Sequence, residues 1–294
     1  MNNGDIKILH SILLDIYKEF ERICNENNLK YFAIAGTVLG AIRHKGFIPW
    51  DDDLDVGMPI EDYIKFKKIA KEQLRQPYIF IDNLDKTRSK NFFCKIENAN
   101  TTFVESKSTN NFKGIWIDIF PFSGIPENKI KKYLFLKKSY LYLSLDWNLN
   151  HSFKNCIDIK SKVFKVLGHI FSLNRNNTVF LEKFEKMLID NSFYSSNEIF
   201  YAWKVSLSYK KSYDKMVFPA NIFKNIIDQE FENTFIRIPE GYDEYLRKCY
   251  GDYLVIPPKE KQKIHNPYIF DVNKSYKVYE AEWEEKNDKK LQRK

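Results

Sequence analysis

The chain has 294 residues, 44% of them hydrophobic and 16% aromatic, which excludes collagen-like, disordered and disulfide-scaffold proteins and leaves length for one or two domains. Lysine and arginine outnumber aspartate and glutamate by 47 to 39, a net charge of +8; with only eight arginines in a chain rich in asparagine and isoleucine, this balance does not by itself define an anionic partner. Cys24, Cys94, Cys156 and Cys249 have neither CxxC nor zinc-ribbon spacing, and they read as free thiols of a reducing compartment with no structural zinc expected.

From Ile6 to Cys24, apolar residues recur every three or four positions, predicting an amphipathic helix. Its charges (Asp5, Lys7, Asp15, Lys18, Glu19) do not fit a signal peptide. No uncharged stretch approaches the about 20 residues that span a bilayer, so a cytoplasmic protein with at most a peripheral membrane contact is expected. Tyr31 to Ala35 reads as a short buried strand, Gly36-Thr37 opens a helix running from about Val38 to His44, and Asp53 to Val56 alternates as a half-buried strand. Glu61 to Leu74 returns to helical spacing. Strands are predicted at Tyr78 to Ile81, Phe92 to Glu97, Thr102 to Glu105 and Trp116 to Phe120. Long Lys-rich, aromatic helices follow, at Lys129 to Leu149 and Lys160 to Leu173. An apolar helix is expected near Ile222 to Phe231, and the charged tail after Lys274 reads as loose. Periodicity alone thus supports a mixed α and β core with a mostly helical insertion.

The strongest local signal is Asp51-Asp52-Asp53-Leu54-Asp55. On a strand, Asp51, Asp53 and Asp55 share a face at about 7 Å spacing, and each neighbouring pair repels by roughly 2 to 3 kcal/mol at an effective dielectric near 20. A divalent cation or protonation would relieve this, and oxygen ligands suit Mg²⁺, with Mn²⁺ as the alternative; an exposed acidic turn would carry the same letters. Gly36-Thr37 stands where a strand becomes a helix, a place for a phosphate oxygen or simply an N-cap. Asp118, inside the apolar run Trp116-Ile117-Asp118-Ile119-Phe120-Pro121, needs a partner: either a buried Lys or Arg, or a metal shared with Asp53 and Asp55 on a neighbouring strand.

The run from Gly36 to Met58, with Lys95, Asn100-Thr101-Thr102, Trp116 to Pro121, Pro239 to Leu246, Tyr250 to Tyr253, Pro257-Pro258 and His265, resembles the LicD family of phosphocholine transferases, within the nucleotidyltransferase superfamily and similar to fukutin-type catalytic domains. The resemblance covers about Ile6 to Pro126 and Phe218 to His265. It implies an α+β, nucleotidyltransferase-like mixed sheet with flanking helices. Residues 1–127 would be the catalytic core, 128–217 a helical insertion, 218–274 the rest of the family domain, and 275–294 a charged tail.

Carried over by position, Asp53, Asp55 and Asp118 would be catalytic and hold the metal, with Asp51 as a further or outer ligand and Asp52 facing away to order the turn. Gly36 and Thr37 would cradle a phosphate, and Arg43, His44, Lys45 and Lys95 would offset its charge. Trp50, Tyr31 and Phe47 could wall the site, with one facing a quaternary ammonium; Tyr245, Tyr250 and Tyr253 read as packing. The implied reaction is Mg²⁺-dependent transfer of phosphocholine from CDP-choline to a hydroxyl of a cell-surface or lipid-linked glycan, releasing CMP. The alternatives are glycerol or ribitol phosphate from their CDP derivatives, nucleotidyl transfer to a small molecule, or a basic surface-binding module built on Lys131, Lys132, Lys137 and Lys138. No nucleic acid partner is expected.

Overall fold

In the computed structural model, which describes residues 2–105, 112–150, 159–172, 177–202, 215–262 and 266–291, helix α1 (Asn3–Glu26) starts at a capping box. The Asn2 side chain accepts from the Gly4 and Asp5 amides, and the Asp5 carboxylate accepts from Asn2 N–H. Its apolar stripe, Ile6, Leu9, Leu13, Ile16, Tyr17, Phe20 and Ile23, is fully buried and lies against the sheet, so the periodicity of this segment decided both helix and orientation.

The sheet has strands β1 (Phe32–Ala33), β2 (Asp55–Pro59), β3 (Tyr78–Ile81), β4 (Cys94–Asn98) and β6 (Ile115–Gly124), ordered β1-β2-β6-β4-β3. β2 runs parallel to β6, and the other pairings are antiparallel. Helix α2 (Ala35–His44) links β1 to β2, and α3 (Ile60–Gln73) follows β2 directly. This mixed α+β architecture is the expected one. A separate ladder joins β5 (Thr102–Val104) to β11 (Ile269–Asp271).

Helices α4 (Lys129–Asn150), α5 (Ile159–Ser172) and α6 (Val179–Ile189) make the following stretch mostly helical. The same stretch also carries β7 (Glu198–Tyr201), which pairs with the end of β6 and with β8 (Val217–Pro219), so it contributes to the main sheet. Two expectations are corrected. The segment near Ile222 to Phe231 is not a helix: a short 3₁₀ turn (Ala220–Phe223) gives way to β9 (Ile226–Phe231), hairpinned with β10 (Thr234–Pro239). The β-branched residues Ile226 and Ile227 favour strand, and Glu232, with φ +54°, makes the turn. The tail after Lys274 is not loose either. Helix α8 (Tyr276–Leu291) is docked at its start, where Tyr276 is buried, donates its N–H to Thr101 O at 3.0 Å and lies beneath the Arg88 guanidinium.

Candidate active site

The predicted strand Asp53 to Val56 begins only at Asp55; Asp51 to Leu54 form a loop entering it. The loop is shaped from three directions. Asp51 N–H closes a turn on Ile48 O at 2.9 Å, and the Nε2–H of His10 on α1 donates to Asp51 O at 2.7 Å, its ring stacked on Phe47 at 4.2 Å. Gly36 packs against the Asp51 carboxylate so closely that a Cβ there would lie 2.4 Å from Oδ2. Such a loop need not alternate faces, and one carboxylate oxygen from each of Asp51, Asp52 and Asp53 lies within 4.8 Å of the others. Asp52, expected to face away, thus joins the cluster.

Thr37, 4% exposed, accepts the Asp55 N–H on its hydroxyl at 2.8 Å, so it orients Asp55 from behind rather than opening to solvent. Because β2 and β6 are parallel neighbours, Asp55 stands directly opposite Asp118, as the expectation of adjacent strands required. On the other side of β6, Lys95 of β4 faces Asp118 in register. Its ammonium is 2.8 Å from Asp118 Oδ1, an ion contact off the line of a hydrogen bond, which leaves that oxygen buried and without one. Lys95 also sits 4.4 Å over the Trp116 ring. Both readings of Asp118 therefore meet in one place: a buried cation partner, and a carboxylate beside Asp55.

Burial raises the carboxyl groups of Asp53 and Asp55 well above the ordinary aspartate range, and repulsion adds to it: from Asp51, Asp118 and Asp52 on Asp53, and from Asp53, Asp118 and Asp51 on Asp55. A carboxylate cluster held at such a cost has the donor set of a hard divalent cation, all oxygen and no sulfur.

Asp51, Asp53 and Asp55 line a cavity of about 470 Å³ with Gly36, Arg43 and Trp50. It is also lined by the last residue of helix α7 (Tyr242–Tyr250), Tyr250, and by Asp252, Tyr253, Val255 and Pro257 after it. Arg43 donates to Tyr253 O at 2.9 Å, fastening that segment to α2 while lining the cavity itself. Tyr245, expected to pack, does so at 1% exposure, and its hydroxyl also accepts the Ala35 N–H at 3.0 Å, where the backbone turns left-handed (φ +49°). His44 meets Trp50 edge to face, and burial lowers its pKa. Lys45 is 70% exposed and faces Glu230 of β9 at 3.3 Å. Tyr31 is buried beside Tyr17 and Phe20, within the core, and Phe47 lines a different cavity beside α1. His265 lies outside the described residues.

Sequence reasoning missed His10 as a support of the acidic loop and Glu232, whose Oε1 accepts the Phe47 N–H at 2.9 Å. Nothing local marks either, because each acts on a loop more than 40 residues away. Tyr250, Asp252 and Tyr253 were visible as motif letters, but not as a cavity wall.

Against known proteins, residues 28–147 match the family model described as LicD/FKTN/FKRP, nucleotidyltransferase domain. The chain is 29% identical over 259 residues to the lipopolysaccharide cholinephosphotransferase LicD of Haemophilus influenzae, covering 87% of this chain and 93% of that protein. It is also 34% identical over 126 residues to an uncharacterised protein of Rickettsia typhi, covering 42% of this chain and 39% of that one.

Proposed function

The chain belongs, through residues 28–147, to the LicD/FKTN/FKRP nucleotidyltransferase family, and from that premise we propose that this transferase moves phosphocholine from CDP-choline to a hydroxyl of a lipopolysaccharide or related glycan, releasing CMP. The observation that carries the reading is the pairing of Asp55 with Asp118 across parallel strands, beside a cavity lined by Asp51, Asp53 and Asp55 together with Trp50, Tyr250 and Tyr253. Acidic oxygens in the lining suit a metal-bound diphosphate, and the aromatic rings among them suit a quaternary ammonium, attracted to ring faces.

Asp53, Asp55 and Asp118, with Asp51, would hold Mg²⁺ or Mn²⁺, which when bound neutralises phosphate charge and polarises the phosphoryl oxygens. The protein groups do the rest. The Gly36 backbone, without a Cβ, leaves room for the Asp51 carboxylate at the cavity; Thr37 keeps Asp55 in place; Arg43 brings positive charge to the cavity. An acceptor hydroxyl attacks the distal phosphorus in line, forming the new P–O bond as the bond to CMP breaks, and its proton passes to the Asp118 carboxylate. Lys95 steadies Asp118 from the opposite side. The enzyme would work in the cytoplasm, where CDP-alcohols are made.

The test is the mass of the product formed from CDP-choline and a glycan acceptor with Mg²⁺. An acceptor gaining phosphocholine supports the proposal. One gaining CMP points to nucleotidyl transfer, and turnover of CDP-glycerol or CDP-ribitol in preference to CDP-choline reassigns the transferred group.

A further inference from the structure

Helices α4 and α5 carry apolar side chains that the core does not use. α4 buries Phe135, Leu143, Leu145 and Leu149, yet Ile130 is 71% exposed and Leu134 and Leu141 are more than a third exposed. At 100° per residue, these three fall on one line along the helix. α5 packs through Phe164 and Leu167 against Leu145, Leu149, Val179 and Phe180. Its Val163, Val166 and Ile170 are each about half exposed and form a second stripe, turned about 100° around the helix from the packed one. Folding explains the first stripe of α5 but not the second.

Basic side chains edge both stripes. On α4, Lys131, Lys137 and Lys138 are exposed beside the apolar line, while Lys132 is drawn aside to Glu198. On α5, Lys162 and His169 are exposed next to Val163, Val166 and Ile170. The single acidic residue of the two helices, Asp146, is 3% exposed and paired with Lys86. Neither helix is long and apolar enough to cross a membrane. Apolar side chains edged by lysine, on helices that expose no acid of their own, fit a surface that is apolar beneath and negative at its boundary. A second copy of the chain would oppose lysine to lysine.

We propose that α4 and α5 seat the protein on the surface of an anionic lipid bilayer, with Ile130, Leu134 and Leu141 and with Val163, Val166 and Ile170 entering the headgroup boundary. The proposal concerns where the protein sits, and it stands apart from the transfer chemistry.

The test is flotation of the full chain with vesicles of phosphatidylcholine alone, or with about a third phosphatidylglycerol. The variants are Val163→Glu with Ile170→Glu, and Ile130→Glu with Leu141→Glu. Phe235→Glu, on the exposed hairpin face, is the control, and thermal unfolding confirms that each variant is folded. The expected result is salt-sensitive flotation on anionic vesicles only, lowered about tenfold or more in both double variants and unchanged in the control. Absence of flotation, equal flotation on neutral vesicles, or equal flotation of parent and variants overturns the proposal. So does a dimer in solution that the double variants convert to monomer, since a second copy would then cover these faces.

Discussion

At the scale of single residues, this site sets function against stability. Asp53 and Asp55 are held above their normal range by burial and by neighbouring carboxylates, so in the ionised form they oppose folding, and a bound cation would relieve that cost. Replacing Asp55 by Asn should therefore lower transferase turnover by about 10²–10³-fold or more, yet leave the metal-free protein with an equal or higher melting temperature; a variant that keeps full turnover with Mg²⁺ sinks the assignment. Gly36→Ala acts by geometry, because its Cβ would occupy the space of Asp51 Oδ2. Turnover should drop while the urea midpoint changes little, since the displaced group is a half-buried side chain at a cavity rim. His10 tests the support from behind. His10→Phe keeps a ring on Phe47 and loses the hydrogen bond to Asp51 O, and Mn²⁺ titrated into the protein should bind more weakly than to the parent, with His10→Gln closer to normal. The identities of the aspartates were legible in the chain, but their arrangement was not: Asp51 to Leu54 leave the strand pattern because contacts from α1 and α2 shape the loop.

At the scale of elements, the site is a loop and a strand edge clamped between distant pieces. The β9–β10 hairpin grips the 45–47 turn twice, with Glu232 N–H donating to Lys45 O at 2.8 Å and Glu232 Oε1 accepting from Phe47 N–H. Gly40 allows the close approach of α2 to this turn, for a Cβ there would meet Gly46 O at 2.4 Å. Glu232→Ala should destabilise the protein by about 1–2 kcal/mol in urea unfolding, the cost of stranding a partly buried amide, and should reduce turnover because Trp50 and Asp51 hang from the same loop. The hairpin was misread as a helix: apolar residues spaced from Ile222 to Phe231 satisfy both periods over so short a run, and only the pairing with Thr234–Pro239 selects strand. α1 was legible because 24 residues of consistent spacing leave no such ambiguity.

At the scale of the whole molecule, the ion pair between Lys86 and Asp146 joins the connection between β3 and β4 to α4. Burial outweighs the attraction on both sides: it raises the Asp146 carboxyl to about 6 and lowers the Lys86 ammonium. Between the normal aspartate range and pH 6 the folded protein holds a proton that the unfolded chain releases. Asp146 should thus make stability rise as pH falls through that window, by up to about 3 kcal/mol. The difference in urea stability between the parent and Asp146→Asn, measured from pH 7.5 down to 4, should follow this slope; a constant difference would place the carboxyl in its ordinary range. Ligand binding reports on the same cooperative unit. CDP-choline at about 100 times its Kd should stabilise the fold by about 2.7 kcal/mol, seen in thermal unfolding as a rise that requires Mg²⁺.

The sequence by itself determined the long elements and the chemistry available: the helical period of α1, the apolar strand around Asp118, the run of aspartates, and a family resemblance carried by contiguous letters. These are local properties, set by the spacing and type of neighbouring residues. Only the tertiary structure decided that Asp55 and Asp118 face each other, that Lys95 takes the buried side of Asp118, that Thr37 serves Asp55, and that His10 and Glu232 shape a loop they never adjoin. Strand order and loop conformation follow from contacts between segments tens to hundreds of residues apart, whose energy appears only when the chain has closed on itself.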